Sequence, residues 1–201
     1  MLKFYFAPFS RATGLHWLLE EIGKSYEAEH VDINAKGGVP ESYRKIQPNK
    51  KVPAIDHDGT IVTERAAICL YLTEQFPEAK LAPAASDPGR PAFLTWLVYC
   101  DSVLDPALAT RALKWDYQGS AVSFGTFDDM VANVERTLSS RPFIAGDEFT
   151  AADTQMASGL YWATEILKVL PENPVFRDYI NRTCGRPAFQ RTMETQQKYA
   201  K

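Results

Sequence analysis

The segment Phe6-Ala7-Pro8-Phe9-Ser10-Arg11 lies where an aromatic, apolar stretch gives way to a predicted helix. Backbone amides at a helix N-terminus point outward and carry partial positive charge, so an anion, including a thiolate, is favoured there. Ser10 stands at this position, where a serine can also serve simply as the helix N-cap. The segment therefore predicts an anion site or a plain helix start, and one serine can fill both roles.

A second segment, Lys51-Val52-Pro53, stands directly before a predicted strand. A proline at the start of a strand leaves the neighbouring backbone groups free at an exposed edge, where an extended peptide can pair as an added strand. The Val52-Pro53 bond can be cis, although most X-Pro bonds in folded proteins are trans. The segment predicts either a peptide-binding edge or an ordinary strand start.

A third segment, Thr63-Glu64-Arg65, precedes an apolar helix. A carboxylate and a guanidinium together can hold the head of a zwitterionic amino acid, with Glu64 on its ammonium and Arg65 on its carboxylate. The alternative is a surface cap with a local ion pair.

The N-terminal part of the chain alternates strand and helix patterns. Two short apolar stretches flank a segment with apolar residues at helical spacing, which predicts a βαβ unit with parallel strands. A short helix, a hairpin around Asp58-Gly59 and a third helix follow. The predicted elements are residues 2–6, 11–22, 26–33, 41–46, 52–56, 60–62 and 65–76. The order βαβ-α-ββα predicts an α/β domain with a mixed sheet.

Strand patterns largely vanish after the proline-rich residues 77–91. The second half is predicted to be all-helical, with helices at 92–114 (bent at Pro106), 124–140, 151–169, 174–183 and 187–198. Thr150 and Asp153 predict a capping box at the start of one of these helices. We therefore expect a domain at 1–78, a linker at 79–90 and an all-helical domain at 91–201.

Composition excludes several classes of protein. The chain has 201 residues, of which 45% are hydrophobic and 23% charged, as in ordinary globular proteins. The net charge is -3, and the sequence holds no block of like charges, which argues against nucleic-acid binding. Cys69, Cys100 and Cys184 are far apart, which argues against a disulfide framework and a structural zinc site. The absence of a secretory pattern and of a long apolar run predicts a cytoplasmic protein without a membrane partner.

Taken together, these motifs resemble the glutathione transferase superfamily in its bacterial-type cytosolic form. The resembling stretches in the N-terminal half are Phe4-Tyr5-Phe6-x-Pro8-x-Ser10-Arg11, Trp17-Leu18-Leu19-Glu20-Glu21-x-Gly23, Gln47-Pro48-Asn49-Lys50-Lys51-Val52-Pro53-Ala54, Asp58-Gly59-Thr60-x-Val62-Thr63-Glu64-Arg65-Ala66-Ala67-Ile68 and Tyr71-Leu72. The stretch from Phe143 to Asp153 resembles the capping motif of the family's helical domain. The resemblance implies α/β plus all-α architecture, a thioredoxin-like domain followed by helices, and a homodimer.

The resemblance also implies glutathione as cosubstrate, in a detoxification reaction. Val52 and Pro53 match the family's cis-proline position, which pairs with the cysteine backbone of glutathione. Glu64 matches the residue that binds the γ-glutamyl head, whereas Arg65 replaces the usual hydroxyl residue. Lys51 is preferred to Lys36 as the partner of the glycine carboxylate.

Ser10 and Tyr5 are the two main candidates for the group that activates the glutathione thiol, and a backbone amide or Arg11 is the remaining alternative. Ser10 fits the serine-type setting in the loop after the first strand, and Tyr5 fits the tyrosine-type position within that strand. No cysteine lies in this loop, which disfavours thiol exchange through a protein cysteine. The expected reaction is attack of the thiolate on a small hydrophobic electrophile, in a pocket between the domains. Its expected lining residues are Phe9, Tyr99, Arg111, Trp115 and Tyr117.

Two alternatives stay open at this point. One is a non-catalytic binding module, because fold alone does not determine function. The other is a different glutathione-dependent reaction, such as isomerisation, peroxide reduction or disulfide reduction.

Overall fold

Strand β1 (Leu2–Phe6) lies inside a four-stranded sheet in the computed structural model, which describes residues 1–200. The other strands are β2 (Glu27–His30), β3 (Ala54–His57) and β4 (Thr60–Thr63), and the spatial order is β2-β1-β3-β4. β1 pairs in parallel with β2 and antiparallel with β3, which in turn pairs antiparallel with β4. The predicted mixed sheet is confirmed.

Side chains of β1 alternate between the two faces of the sheet, as they must in any strand. Phe4 and Phe6 contact the ring of His16 on one face, and Tyr5 contacts Tyr43 on the other. The three helices of this part are α1 (Thr13–Ile22), α2 (Glu41–Arg44) and α3 (Arg65–Gln75). The predicted βαβ-α-ββα order, and with it the thioredoxin-like fold, is confirmed.

A second compact unit, Lys80–Arg186, has helices as its regular elements. The predicted helix at 92–114 is divided by a π-helical segment, Cys100–Leu104, which ends directly before Asp105 and Pro106. A second π-helical segment, Trp162–Ile166, directly follows the helix Ala151–Tyr161. The α-helices are α4 (Arg90–Tyr99), α5 (Asp105–Leu113), α6 (Phe127–Leu138), α7 (Ala151–Tyr161) and α8 (Pro174–Cys184). The expected all-helical character is confirmed for this unit.

The last helix, α9 (Pro187–Tyr199), belongs to the same compact unit as residues Met1–Ala79. The ring of Phe189 lies edge-on to Trp17 of α1, with 4.9 Å between ring centroids. Arg191 Nε donates to Glu20 Oε2 over 2.8 Å. The structure thus differs from the expected domain at 91–201 in this helix, because the buried face of α9 covers α1.

Among residues 1–200, one helical stretch, Arg90–Leu113, is long and apolar enough by length and composition to cross a membrane. The stretch contains Asp101 and Asp105, so it is not an uninterrupted apolar run. Core helices of soluble proteins pass the same test, so length and composition alone are weak support for a membrane span.

His16 of α1 is fully buried among aromatic rings on the face of the sheet that carries Phe4 and Phe6. Its ring centroid lies 5.5 Å from that of Phe4, 5.3 Å from that of Phe6 and 6.0 Å from that of Tyr26. Burial lowers the pKa of His16 from 6.5 to about 4, because the apolar surroundings disfavour its charged form. The ring is therefore neutral in the folded protein near pH 7.

We expect His16 to make the protein less stable as the pH falls from 7 to 5. The unfolded chain takes up a proton near pH 6.5 and the folded protein does so only near pH 4. The free energy of unfolding of the wild type should therefore lose about 2 kcal/mol more than that of His16→Phe over this pH range. Urea unfolding at several pH values measures this. Equal slopes for wild type and His16→Phe would contradict the expectation.

Asp153 organises the centre of the helical unit. Its side chain is fully buried, and it accepts hydrogen bonds from the Ile144 N–H, the Thr150 N–H and the Tyr179 hydroxyl, each over 2.8 Å. The predicted capping box with Thr150 is confirmed. Burial raises the pKa of the Asp153 carboxyl, and the hydrogen bonds that it accepts oppose this rise.

Replacing Asp153 by alanine should destabilise the protein by about 3 kcal/mol or more, because four buried donors, including the Thr150 hydroxyl, lose their acceptor. Chemical unfolding measures the difference. Asp147→Ala, at an exposed position just before α7, should change the stability by less than about 0.5 kcal/mol. Similar losses for both variants would show that the buried network is not the cause.

Candidate functional site

The register of the sheet brings three segments to one edge. Tyr5 of β1 is opposite Ala54 of β3, and Ala54 is opposite Thr63 of β4. The loop that follows β1, the Val52-Pro53 segment that precedes β3 and Glu64 after β4 therefore meet at the same end of the sheet. Helices α1 and α3 also begin at this end, so their N-terminal amides face the same region.

The loop after β1 is shaped by the Ser10 side chain. Ser10 Oγ donates to the Ala7 carbonyl over 2.7 Å and accepts from the Ala12 N–H over 3.1 Å. The Ser10 carbonyl accepts from the Thr13 N–H, the first residue of α1, over 3.1 Å. Ser10 is half-buried, and its hydroxyl closes the turn that leads into α1. The N-cap residue of α1 is Ala12 and no side chain caps this helix, so the plain N-cap role expected for Ser10 is not observed. Phe9 has a left-handed backbone (φ 51°), which is uncommon for a bulky residue.

Tyr5, the second candidate for thiol activation, lies in a packed cluster on the opposite face of β1 from His16. Its side chain is buried with Val31, Val39, Tyr43 and Ala54. Its ring centroid lies 5.6 Å from that of Tyr43, and burial raises its pKa above the usual value of 10.0. Tyr5 and Ser10 are therefore in different surroundings: one is packed in a core, the other lies in a partly exposed loop.

A residue of α2 makes a hydrogen bond to the segment before β3. The Val52-Pro53 peptide bond is cis. The Tyr43 hydroxyl donates to the Lys51 carbonyl over 2.6 Å, while the Lys51 side chain is exposed. Lys50 has a left-handed backbone (φ 60°), which helps to turn the chain into this segment. Lys51, Val52 and Pro53 are thus placed at the edge that also carries the Ser10 loop.

Glu64 stands at the start of α3 with an exposed side chain and a positive φ of 69°. A non-glycine residue in this conformation costs free energy, and such residues are concentrated at functional sites. The buried Gln47 supports the position: its Nε2 donates to Glu64 Oε1 over 3.4 Å, and its Oε1 accepts from the Asn49 N–H over 2.7 Å. Arg65, expected beside Glu64 in the ligand site, has a mostly buried side chain.

The residues expected to line an electrophile pocket are distributed over both units. Arg111 and Trp115 line one cavity of about 480 Å³ in the helical unit, together with Tyr117 and Phe127. Arg111 stacks over the Phe127 ring at 4.1 Å and donates to Asp128 over 2.9 Å. Tyr99 does not line this cavity; its ring lies 4.8 Å from that of Trp96. Phe9 belongs to the N-terminal unit, where it is 44% exposed.

Sequence reasoning assigned no role to three buried polar residues behind this edge, namely Tyr43, Gln47 and Gln196. Gln196 Oε1 accepts from the Phe9 N–H over 2.7 Å, although the two residues are far apart in the chain. A signal for it exists in the sequence: Gln196 continues the helical spacing of the buried residues Phe189 and Thr192. A polar residue at a buried position of an amphipathic helix needs a partner.

A βαβ-α-ββα domain with a cis-proline before its third strand, followed by a helical unit, defines a thioredoxin-like protein. Residues 1–74 match the family model "Glutathione S-transferase, N-terminal domain". The resemblance of the chain to the glutathione S-transferase superfamily is thereby confirmed.

Individual relatives agree with this assignment. A glutathione S-transferase domain-containing protein of Dictyostelium discoideum is 32% identical over 70% of this chain, which spans 58% of that relative's length. Glutathione S-transferase GstA of Escherichia coli O157:H7 is 26% identical over 94% of this chain and 96% of its own. A sphingomonad glutathione S-transferase, solved in complex with glutathione, superposes with a TM-score of 0.81 at 26% identity, covering 97% of this chain and 98% of that one.

Proposed function

We propose that the protein is a glutathione transferase, which activates the thiol of glutathione as a thiolate for attack on a small hydrophobic electrophile. One observation carries the proposal: the sheet register brings the Ser10 loop, Val52-Pro53 and Glu64 to one edge. These are the segments that would hold the sulfur, the cysteine backbone and the γ-glutamyl head of glutathione. The solved sphingomonad relative with bound glutathione supports this ligand.

Ser10 is the proposed thiol-activating group. In the structure its proton goes to the Ala7 carbonyl, so donation to a bound sulfur requires rotation of the hydroxyl away from that oxygen. A free thiol has a pKa near 8.5, and lowering it by about two units needs about 2.7 kcal/mol. A hydrogen bond to a charged acceptor contributes about 1.5–3 kcal/mol, and the N-terminus of α1 adds about 0.3–1 kcal/mol. The two contributions together are of the right size.

Tyr5 is the weaker candidate for this role. Its ring is packed against Tyr43 on the α2 face, whereas Ser10 is partly exposed at the edge where the three segments meet. The sulfur of glutathione is the nucleophile in either case. Its proton is lost to solvent on binding, a carbon–sulfur bond forms, and the electrophile either loses its leaving group or takes up a proton.

The remaining proposed contacts follow the positions of the side chains. Glu64 binds the ammonium of the γ-glutamyl group, Val52 pairs through its backbone, and Lys51 approaches the glycine carboxylate. Arg65 has most of its side chain buried, so we assign the γ-glutamyl group mainly to Glu64. In the helical unit, the cavity of Arg111 and Trp115 offers aromatic surface for an electrophile.

We also propose, on the strength of the family, a homodimer that acts in the cytoplasm in the detoxification of electrophiles. Nucleic acid and membrane are not among its proposed partners. A different glutathione-dependent reaction and a non-catalytic module are the alternatives that the following measurement tests.

We expect Ser10→Ala, and not Tyr5→Phe, to raise the thiol pKa of bound glutathione. Wild type should lower this pKa by about two units. Ser10→Ala should raise it most of the way back to the value of free glutathione, because the hydroxyl donor to sulfur is lost. A pH titration of the ultraviolet thiolate band measures it. Reversal only in Tyr5→Phe would move the role to Tyr5. A wild type that binds no glutathione, or binds it with an unshifted thiol, would contradict the enzyme proposal and favour a binding module.

Glu64→Gln should weaken glutathione binding by about tenfold or more, because a charge-assisted hydrogen bond to the ammonium is replaced by a neutral one. Isothermal titration calorimetry gives the dissociation constant. Glu194→Gln removes the same charge at an exposed position on α9 and should leave the affinity unchanged within about twofold. Equal affinities of Glu64→Gln and wild type would place the γ-glutamyl group elsewhere.

A further inference from the structure

Gln196 of α9 is completely buried behind the loop that carries Ser10. Its Oε1 accepts from the Phe9 N–H over 2.7 Å, a short and well-formed bond for an amide donor. Thr13 Oγ1 lies 3.1 Å from the same oxygen and 2.9 Å from the Ser10 carbonyl, so its single proton can serve either acceptor. The side chain of Gln196 therefore touches the residue before Ser10 and the first residue of α1.

The orientation of the Gln196 amide is determined by its partners. The Phe9 N–H is a donor, so the group that faces it must be the carbonyl oxygen of the side chain. The Gln196 amide nitrogen then points to His16 Nδ1, 3.5 Å away. Because the His16 ring is neutral near pH 7, its Nδ1 can accept a hydrogen bond. The Phe9 N–H therefore determines which end of the amide faces the loop, and His16 Nδ1 lies next to the other end.

The backbone of the loop explains why such support is needed. Phe9 has a left-handed conformation that bulky residues adopt rarely, and its exposed side chain contributes little packing to hold it. The Phe9 N–H has Gln196 Oε1 as its partner. Since Ser10 follows directly, the conformation of Phe9 determines where the Ser10 hydroxyl lies relative to the α1 N-terminus.

We propose that Gln196 is a positioning residue for thiol activation: from the C-terminal helix, it holds Phe9 in the conformation that presents Ser10 to the glutathione sulfur. The inference rests on the proposed function, because it assigns to Gln196 the geometry of that same thiol site. Helix α9 therefore supports the loop that carries Ser10 and also covers α1. Sequence position alone would place it far from any reacting group.

The test compares three variants by the pH titration of bound glutathione and by steady-state kinetics with a small electrophile. Gln196→Met keeps the length of the side chain and removes the acceptor, so the thiol pKa should rise by about one unit and kcat below that pKa should fall about tenfold. Gln196→Glu keeps an oxygen acceptor for the Phe9 N–H and should restore a large part of the shift. Gln197→Met, at the exposed neighbouring position, should match wild type.

A purely structural role of Gln196 would lower the melting temperature of Gln196→Met and leave the thiol pKa of its bound glutathione as in wild type; this result would overturn the inference. If Gln196→Met does not fold, Gln196→Asn serves in its place, because the shorter amide cannot reach Phe9 from the same backbone, and an unchanged thiol pKa in this variant would overturn the inference in the same way. An unshifted thiol pKa in wild type contradicts the proposed function itself. If wild type lowers the thiol pKa of bound glutathione and the Gln196 variants lower it equally, only the role of Gln196 is contradicted.

Discussion

The pairing of β3 with both β1 and β4 is the constraint on which the candidate site depends. With Tyr5 opposite Ala54, and Ala54 opposite Thr63, the chain passes the same end of the sheet three times. Each passage ends a strand or begins one, so the backbone there has hydrogen-bonding groups that the sheet does not use. A slip of one residue in either pairing would turn every side chain of a strand to the other face and would separate these segments.

The same edge contains three non-glycine residues with left-handed backbone, Phe9, Lys50 and Glu64. Such conformations persist only where the surrounding structure determines them. Buried polar side chains supply that support: Gln196 holds the Phe9 N–H, Tyr43 holds the Lys51 carbonyl and Gln47 reaches Glu64. The edge is therefore kept in shape by hydrogen bonds from beneath, which leaves its outer side for a ligand.

The helical unit follows a different principle. Its centre is a buried carboxylate, Asp153, whose desolvation is compensated by three hydrogen bonds at 2.8 Å from separate parts of the unit. Two of these donors are backbone amides and one is the hydroxyl of Tyr179 on α8. Because each donor would be unsatisfied without the carboxylate, this network ties the start of α7 to α8 and to the preceding loop. The cavity lined by Arg111 and Trp115, in which Arg111 pairs with Asp128, belongs to this same unit.

Local patterns in the sequence determined much of this protein. The strand and helix order of the first 76 residues follows from apolar periodicity and from turn residues such as Asp58-Gly59. Asp153 was predicted as a capping residue because its partner lies three residues away. Ser10, Val52-Pro53 and Glu64 were predicted as site residues from motifs that are each a few residues long, and their proposed roles depend on the resemblance of these motifs to a family.

Tertiary structure decided the features that join residues distant in the chain. Helix α9 belongs to the N-terminal unit although it lies at the other end of the chain. Gln196 and Phe9, which are hydrogen-bonded, are 187 residues apart. No local pattern specifies such a partner, because the helical spacing of α9 shows only which face is buried and not what covers it. The contrast between a packed Tyr5 and a partly exposed Ser10 likewise follows from what lies on each face of β1. Preferences for helix, strand and turn depend on neighbouring residues, whereas the environment of a side chain depends on the packing of the whole fold.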